Sequence, residues 1–213
     1  MIIAIDGPAG SGKTTVAKLL AKKLNILYLD TGATYRALTL KALNNNIDLG
    51  NELKLMNLAN KLDIKLENER IYLDGEDVTE KIREPLIDRN ISKPVSLAGV
   101  RDEMVNLQRE IVKGKDAVVE GRDITTVVFP KAEYKFYLDA SLRERANRRY
   151  KELEAKGIEV VLPDVEKQMK DRDLADLTRS VGPLKKSKDA IYVDTTGLEI
   201  EEALNTILGY IKK

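Results

Sequence analysis

Short apolar runs alternate with longer stretches of helical period along most of this chain. Strand-like runs fall at 2–5, 26–29, 117–119, 134–138 and 191–193, and helical patterns cover 13–23, 33–43, 94–112, 142–153 and 199–211. The last is the clearest, because Ile200, Leu204, Ile207, Leu208 and Ile211 fall on one helical stripe. Short apolar strands that alternate with helices predict an α/β fold: a parallel five-stranded sheet flanked by helices on both faces. One segment breaks the alternation. In 63–79, DIKLENERIYLDGEDVT, apolar residues recur at every second position, and turn signals stand at Glu67-Asn68 and Asp74-Gly75. This predicts a small antiparallel β insert in which Leu66, Ile71 and Leu73 pack inward. The chain has no internal repeat and no low-complexity linker.

The 213 residues suit one α/β domain with an insertion and suffice for a full core. Charged residues make up 33% but cancel to a net +1, so there is no polybasic signature of nucleic-acid or membrane binding, and the expected partners are small molecules. The absence of cysteine excludes disulfides and thiolate metal sites. No apolar segment approaches the ~20 residues of a membrane span. The opening Met-Ile-Ile-Ala-Ile run is too short for a signal peptide and lacks a basic lead, so a cytoplasmic location is expected. Histidine is absent too. No side chain therefore has an unperturbed pKa near neutrality, which disfavours hydrolysis by a Ser–His or Cys–His pair. Phosphoryl transfer has no such need, and an acceptor that is itself a phosphate is already an anionic nucleophile.

That chemistry is what the first apolar run leads into. IIAIDGPAGSGKTT breaks from a strand into a glycine loop and then a helix, and Gly7-x-x-x-x-Gly12-Lys13-Thr14 fits the phosphate-binding loop pattern without a mismatch. Backbone N–H groups of such a loop converge with the helix N-terminus into an anion cradle. Lys13 is expected to reach the β/γ-phosphates and the Thr14 hydroxyl to bind Mg²⁺.

Three further constellations follow strand-like runs or lie in a charged segment. Asp30-Thr31-Gly32-Ala33-Thr34-Tyr35-Arg36 follows the second strand, and loops at the carboxyl ends of parallel strands form the ligand crevice. Asp30 and Thr31 equally suit a helix N-cap, whereas Arg36, one turn into the helix, can present its fork to an anion. Glu120-Gly121-Arg122-Asp123 follows the third strand and so joins the same rim; an exposed turn is the bland alternative. In 142–179, Arg145, Arg148 and Arg149 share a helix face by spacing, as do Arg172, Asp176 and Arg179. Solvated ion pairs such as Glu144 with Arg148 explain most charges of this kind. The scarcity of large apolar residues in the segment nevertheless suits a mobile lid.

Taken in order, GPAGSGKTT, DTGATYR, EGRDITTVVFP and DRDLADLTR, with a terminal strand and helix, resemble the bacterial cytidylate kinases over essentially the whole chain. The resemblance implies a reaction of ATP with CMP or dCMP, with Mg²⁺, and a three-part molecule. Its core would span about 1–35, 114–141 and 183–213, its NMP-binding part about 36–113 with the insert at about 63–84, and its lid about 142–182. It implies ATP binding by Gly7, Pro8, Ala9, Gly10, Ser11, Gly12, Lys13, Thr14 and Thr15, with Arg148 and Arg149 on the donor phosphates. Arg36, Arg122 and Arg179 resemble the arginines on the acceptor phosphate, and Thr31 lies on the same substrate side. Ser92, Arg101 and Asp123 resemble the cytosine readers, and Arg172 and Asp176 the ribose contacts. Lys13, Arg122 and Arg179 are the expected catalytic residues, and a monomer is expected. Glu120 stands where an Asp is often found, and Lys13-Thr14 where many members have Lys-Gly or Lys-Ser.

Rival functions use the same residues. A kinase for another monophosphate, such as UMP, AMP or dTMP, shares the loop and lid. A non-enzymatic nucleotide-dependent module needs no arginine sets beyond the loop. A GTP switch is suggested by Asn60-Lys61-Leu62-Asp63 and Asp194-Thr195-Thr196-Gly197, but these occur in reversed order, and the first ends a helical pattern.

Overall fold

The computed structural model describes residues 1–67 and 69–211. Asn68, half of one predicted turn signal, and Lys212 and Lys213, at the end of the third expected core segment, lie outside them. The chain divides into two compact units: residues 1–28 with 116–213, and residues 29–115.

The first unit opens with β1 (Ile2–Asp6), α1 (Lys13–Leu24) and the start of β2 (Leu27–Asp30). The chain then builds the second unit from α2 (Thr31–Asn44), α3 (Glu52–Ala59), β3 (Ile64–Glu67), β4 (Arg70–Leu73), β5 (Glu76–Asp77), α4 (Pro85–Asn90), α5 (Ser92–Ser96) and α6 (Ala98–Val112). It returns through β6 (Ala117–Gly121), a π-helical turn (Ile124–Val128), β7 (Tyr134–Asp139), α7 (Leu142–Ala155), α8 (Leu162–Thr178), β8 (Ile191–Asp194) and α9 (Ile200–Tyr210). The five predicted strands form one sheet in the order β2-β6-β1-β7-β8, in which β1 runs parallel to β6 and β7, and β7 parallel to β8. Its core joins Ile3, Ile5, Val118, Phe136 and Leu138 with Val16 and Leu20 of α1 and Leu204 and Ile207 of α9; of the predicted stripe Leu208 and Ile211 pack at the edge, while Ile200, at the first position of α9, is exposed.

In the second unit the insert is a three-stranded antiparallel sheet with Ile71 and Leu73 buried and Leu66 packed beside them. The helix predicted over 94–112 is two helices. Leu97 is extended between α5 and α6, and the freed N–H of Gly99 donates to Glu52 Oε1 at 2.6 Å. The restart gives α6 a cap supplied by α3, and a side chain on Gly99 would collide with Met56. The helices α3 and α4 escaped the sequence reading, being eight and six residues long. Asn60-Lys61-Leu62-Asp63 only leads from α3 into β3, and in Asp194-Thr195-Thr196-Gly197 the Asp194 carboxylate accepts from Thr196 N–H at 2.9 Å, a local turn.

One buried carboxylate ties the strand ends of the first unit together. Asp6, fully buried at the end of β1, accepts from Ile124 N–H at 2.7 Å, Thr125 N–H at 2.8 Å and Thr125 Oγ1 at 2.6 Å. Burial pushes its pKa from 3.8 up to about 6, against the pull of those hydrogen bonds. Protonation therefore favours the folded state: this stabilisation is complete below about pH 3.8 and is lost as pH rises through about 6. An Asp6→Asn variant has no such titration. Urea unfolding is expected to show the stability gap between parent and variant larger at pH 5 than at pH 7.5, by about 1.4 kcal/mol. A gap independent of pH would contradict this reading of Asp6.

Candidate active site

The loop between β1 and α1 is shaped by what its glycines permit. A Cβ on Gly7 would overlap the Leu138 carbonyl oxygen, and one on Gly10, whose φ is +75°, would come within 2.8 Å of Met169 Cε. Gly12 is the N-cap of α1; no side chain caps the first turn, and it contains no acid. Its N–H groups and the helix dipole therefore favour an incoming anion. Ser11 Oγ is buried within the loop without a hydrogen-bond partner among the described residues. Lys13, nearly buried, donates to the Pro8 carbonyl at 3.2 Å, and its Nζ lies 3.9 Å from Glu120 Oε2. The other Glu120 oxygen accepts from Tyr28 Oη at 2.9 Å. Thr14 is partly exposed in the first turn and Thr15 is exposed.

The second constellation of the first unit forms where β6 ends. Arg122 and Asp123 emerge just before the π-helical turn that Asp6 anchors. Arg122 Nε donates to Asp176 Oδ2 at 2.7 Å. Arg179 places Nη1 3.9 Å from Asp176 Oδ1 and Nη2 3.4 Å from Asp123 Oδ1, while its Nε donates to the Gly182 carbonyl. Two guanidiniums and two carboxylates thus interleave. Burial works against the charge on Arg122, but Asp176 outweighs it and holds the guanidinium above its ordinary range. Burial likewise disfavours the Asp176 carboxylate, and Arg122, followed by Arg172 and Arg179, nevertheless keeps it below the ordinary carboxylate value. Arg179 differs from its predicted placement. α8 ends at Thr178 and Arg179 is its C-cap, with ψ at 141°, so it leaves the helix face of Arg172 and Asp176. The chain turns there because the Leu184 N–H closes back on the Asp176 carbonyl at 2.8 Å.

The three arginines predicted to share a face of α7 have separate tasks. Arg145 is buried: Nε donates to the Ala140 carbonyl at 2.9 Å, and Nη1 lies 3.1 Å from the Ala9 carbonyl and 2.7 Å from Asp173 Oδ2. It joins the glycine loop to α7 and α8. Arg148 pairs with Glu144 at 2.9 Å and donates to the Thr195 carbonyl at 2.7 Å, with Nη1 3.6 Å from a Cβ position on Gly12. Arg149 pairs with Glu152 at 2.8 Å, both side chains well exposed. Behind these charges Ala146, Val165 and Met169 form a small core with Ala9 of the loop at its edge.

In the second unit, Asp30 is the N-cap of α2, accepting from Ala33 N–H at 3.0 Å, which is the bland reading of that residue. Thr31 is buried and its carbonyl accepts from Thr34 Oγ1 at 2.7 Å. Arg36 pairs with Asp88 at 2.6 Å and donates to the Ile82 carbonyl at 3.3 Å. Arg101 is buried, donates to the Val95 carbonyl at 3.4 Å and covers the Tyr35 ring, 5.6 Å from its centroid. Ser92 is exposed at the start of α5.

A family model described as cytidylate kinase matches residues 3–213. The chain belongs to the cytidylate kinase family. The cytidylate kinase of Caldanaerobacter subterraneus subsp. tengcongensis is 51% identical over 211 residues, covering 99% of this chain and 94% of that protein. That of Fusobacterium nucleatum subsp. nucleatum is 47% identical over 213 residues, covering 100% and 98%. A crystal structure of a protein from Eubacterium ventriosum shares the fold, with a TM-score of 0.55 at 17% identity and coverage of 99% and 98%.

Within this cytidylate kinase family member, sequence reasoning missed Arg145, Asp173 and Tyr28 as supports of the site. The signal for Arg145 was its place one turn into α7, immediately after a strand end; nothing marked Asp173 or Tyr28. Removing Arg145 leaves the mostly buried Asp173 carboxylate without this cation, and breaking a pair that is shielded on one side costs about 2–3 kcal/mol. Arg145→Met is expected to lose that much in urea unfolding, and adding Asp173→Leu to recover the part due to the unpaired carboxylate, the Ala9 and Ala140 carbonyls remaining without their donor. A single variant within about 0.5 kcal/mol of the parent would show that the pair contributes nothing net.

Proposed function

We propose that this chain moves the γ-phosphoryl group of ATP to CMP or dCMP, releasing ADP and CDP or dCDP. The observation that carries the reading is the presence of two anion-handling assemblies on the strand ends of one unit: the uncapped glycine loop with Lys13, and the Arg122–Asp176–Arg179–Asp123 cluster. Binding ATP alone needs only the first. An acceptor phosphate oxygen attacks the γ-phosphorus, and the bond to the β-bridging oxygen breaks. The nucleophile is already anionic, so no general base is required.

In this reading Gly7 through Thr15 hold the ATP phosphates, with Arg148 and Arg149 of a lid spanning about 142–182. Lys13 stabilises the charge that moves toward the leaving oxygen. By resemblance the acceptor phosphate falls to Arg36, Arg122 and Arg179, and Thr31 is a further substrate residue. The ribose falls to Arg172 and Asp176, and the cytosine to Ser92, Arg101 and Asp123. A Mg²⁺ ion arriving with ATP would be held by the hydroxyl of Thr14, which is partly exposed in the first turn of α1. When bound it offsets phosphate charge. No helix among the described residues is long and apolar enough to cross a membrane, and we take the chain to act as a cytoplasmic monomer.

Lys13→Ala is expected to lower kcat by roughly 10²-fold or more, with a smaller rise in KM for ATP, because the lysine binds the transition state more tightly than the ground state. A near-normal kcat would remove Lys13 from the mechanism. The choice of base is tested by ADP release with CMP, dCMP, UMP, AMP and dTMP. A carboxylate pairs with the cytosine amino group but faces the O4 acceptor of uracil, and an unpaired buried acceptor costs about 1–3 kcal/mol, so CMP should exceed UMP in kcat/KM by roughly 10-fold or more. Asp123→Ala should narrow that ratio. If Asp123 serves only to hold Arg179, both substrates will suffer equally. A preference for AMP or dTMP would assign a different monophosphate kinase, and ADP release indifferent to every monophosphate would remove the acceptor site.

A further inference from the structure

Glu120 and Lys13 are both nearly buried, and charges taken out of water must be compensated in place. Lys13 Nζ faces Glu120 Oε2 at 3.9 Å, an ion-pair distance longer than a hydrogen bond. The other oxygen of the carboxylate, Oε1, accepts from Tyr28 Oη at 2.9 Å, a shorter and more directional contact. The Tyr28 ring is itself steadied from α1, since the Lys18 ammonium stands over it at 5.7 Å from the centroid. Tyr28, Lys18, Lys13 and Glu120 all belong to the first unit.

We propose that Tyr28 is a positioning residue for the phosphate-loop lysine, acting through Glu120. The hydroxyl holds the glutamate in one orientation, and the second carboxylate oxygen then presents a fixed negative charge to Lys13. A glutamate has one more rotatable bond than an aspartate, so a hydrogen bond to one oxygen removes freedom that the side chain would otherwise keep. The inference rests on reading Lys13 as the phosphate-contacting lysine.

The test is a double-mutant cycle on kcat with ATP and CMP. Small misplacements of a charge that acts in the transition state are felt in turnover, so Tyr28→Phe is expected to lower kcat roughly 3- to 10-fold with KM for CMP unchanged. Glu120→Gln, which removes the charge, and Glu120→Asp, which shortens the reach, should each lower kcat. In either background Tyr28→Phe should add less than about a twofold further loss, because the two residues act as one unit. Thermal unfolding of each variant checks that it is folded, and the aspartate variant serves if the glutamine variant is not. Independent, multiplicative losses, or a Tyr28→Phe enzyme with parental kcat, would overturn the proposal. Loss of melting temperature without a change in kcat would assign Tyr28 to stability alone. Lys13→Ala separates the two levels: full activity there removes the reading of the loop itself, whereas lost activity with an additive cycle removes only the role of Tyr28.

Discussion

The Asp6 carboxylate is the fixed point from which the first unit's chemistry is arranged. It lies one residue before the glycine loop, and all three of its donors belong to the turn that follows Arg122 and Asp123. Two loops that handle anions are thereby referenced to a single strand end, and neither can shift without leaving a buried N–H or a buried carboxylate unpaired. The parallel registers of β6 and β7 on β1 carry the same reference outward, placing Gly121 beside Asp6 on one side and Tyr137 on the other.

Charge is then distributed unevenly around that point. Arg122 and Arg179 share Asp176, and Arg179 also reaches Asp123. Asp176, held by both guanidiniums, keeps Arg122 charged and oriented despite its burial. The glycine loop is the opposite case. Its helix N-terminus has neither a side-chain cap nor an acid, so its positive field is left for a ligand. One assembly is preset by internal ion pairs and the other by backbone shape, and both suit a reaction whose catalysis is mostly positioning and charge stabilisation.

Local chemistry was legible in the sequence, and long-range pairing was not. The loop 7–15, the five strands and the α9 stripe each follow from a period or a spacing that neighbouring residues set, and the antiparallel insert showed in its alternation at Ile71 and Leu73. The break at Leu97 was hidden because its cause, Glu52 capping Gly99, lies 47 residues away. Arg179 was placed on a helix by spacing, while the hydrogen bond from Leu184 that ends the helix depends on the chain beyond it. Arg145, Arg148 and Arg149 look alike as a string, yet burial makes the first a structural cation and leaves the third on the surface. Asp6 illustrates the same limit in titration. A chain without histidine still carries a group near pH 6, because burial, invisible in composition, supplies the shift.

If the first unit's two anion assemblies serve one transfer between phosphates, the terminal phosphate of ATP passes to the acceptor without release. ATP labelled at the γ position, followed in the presence of CMP, reads this out. The label is expected in CDP in step with ADP formation, with little in inorganic phosphate. Label released as inorganic phosphate at the same rate with and without CMP would contradict it, since the Arg122 and Arg179 cluster would then not be engaging an acceptor.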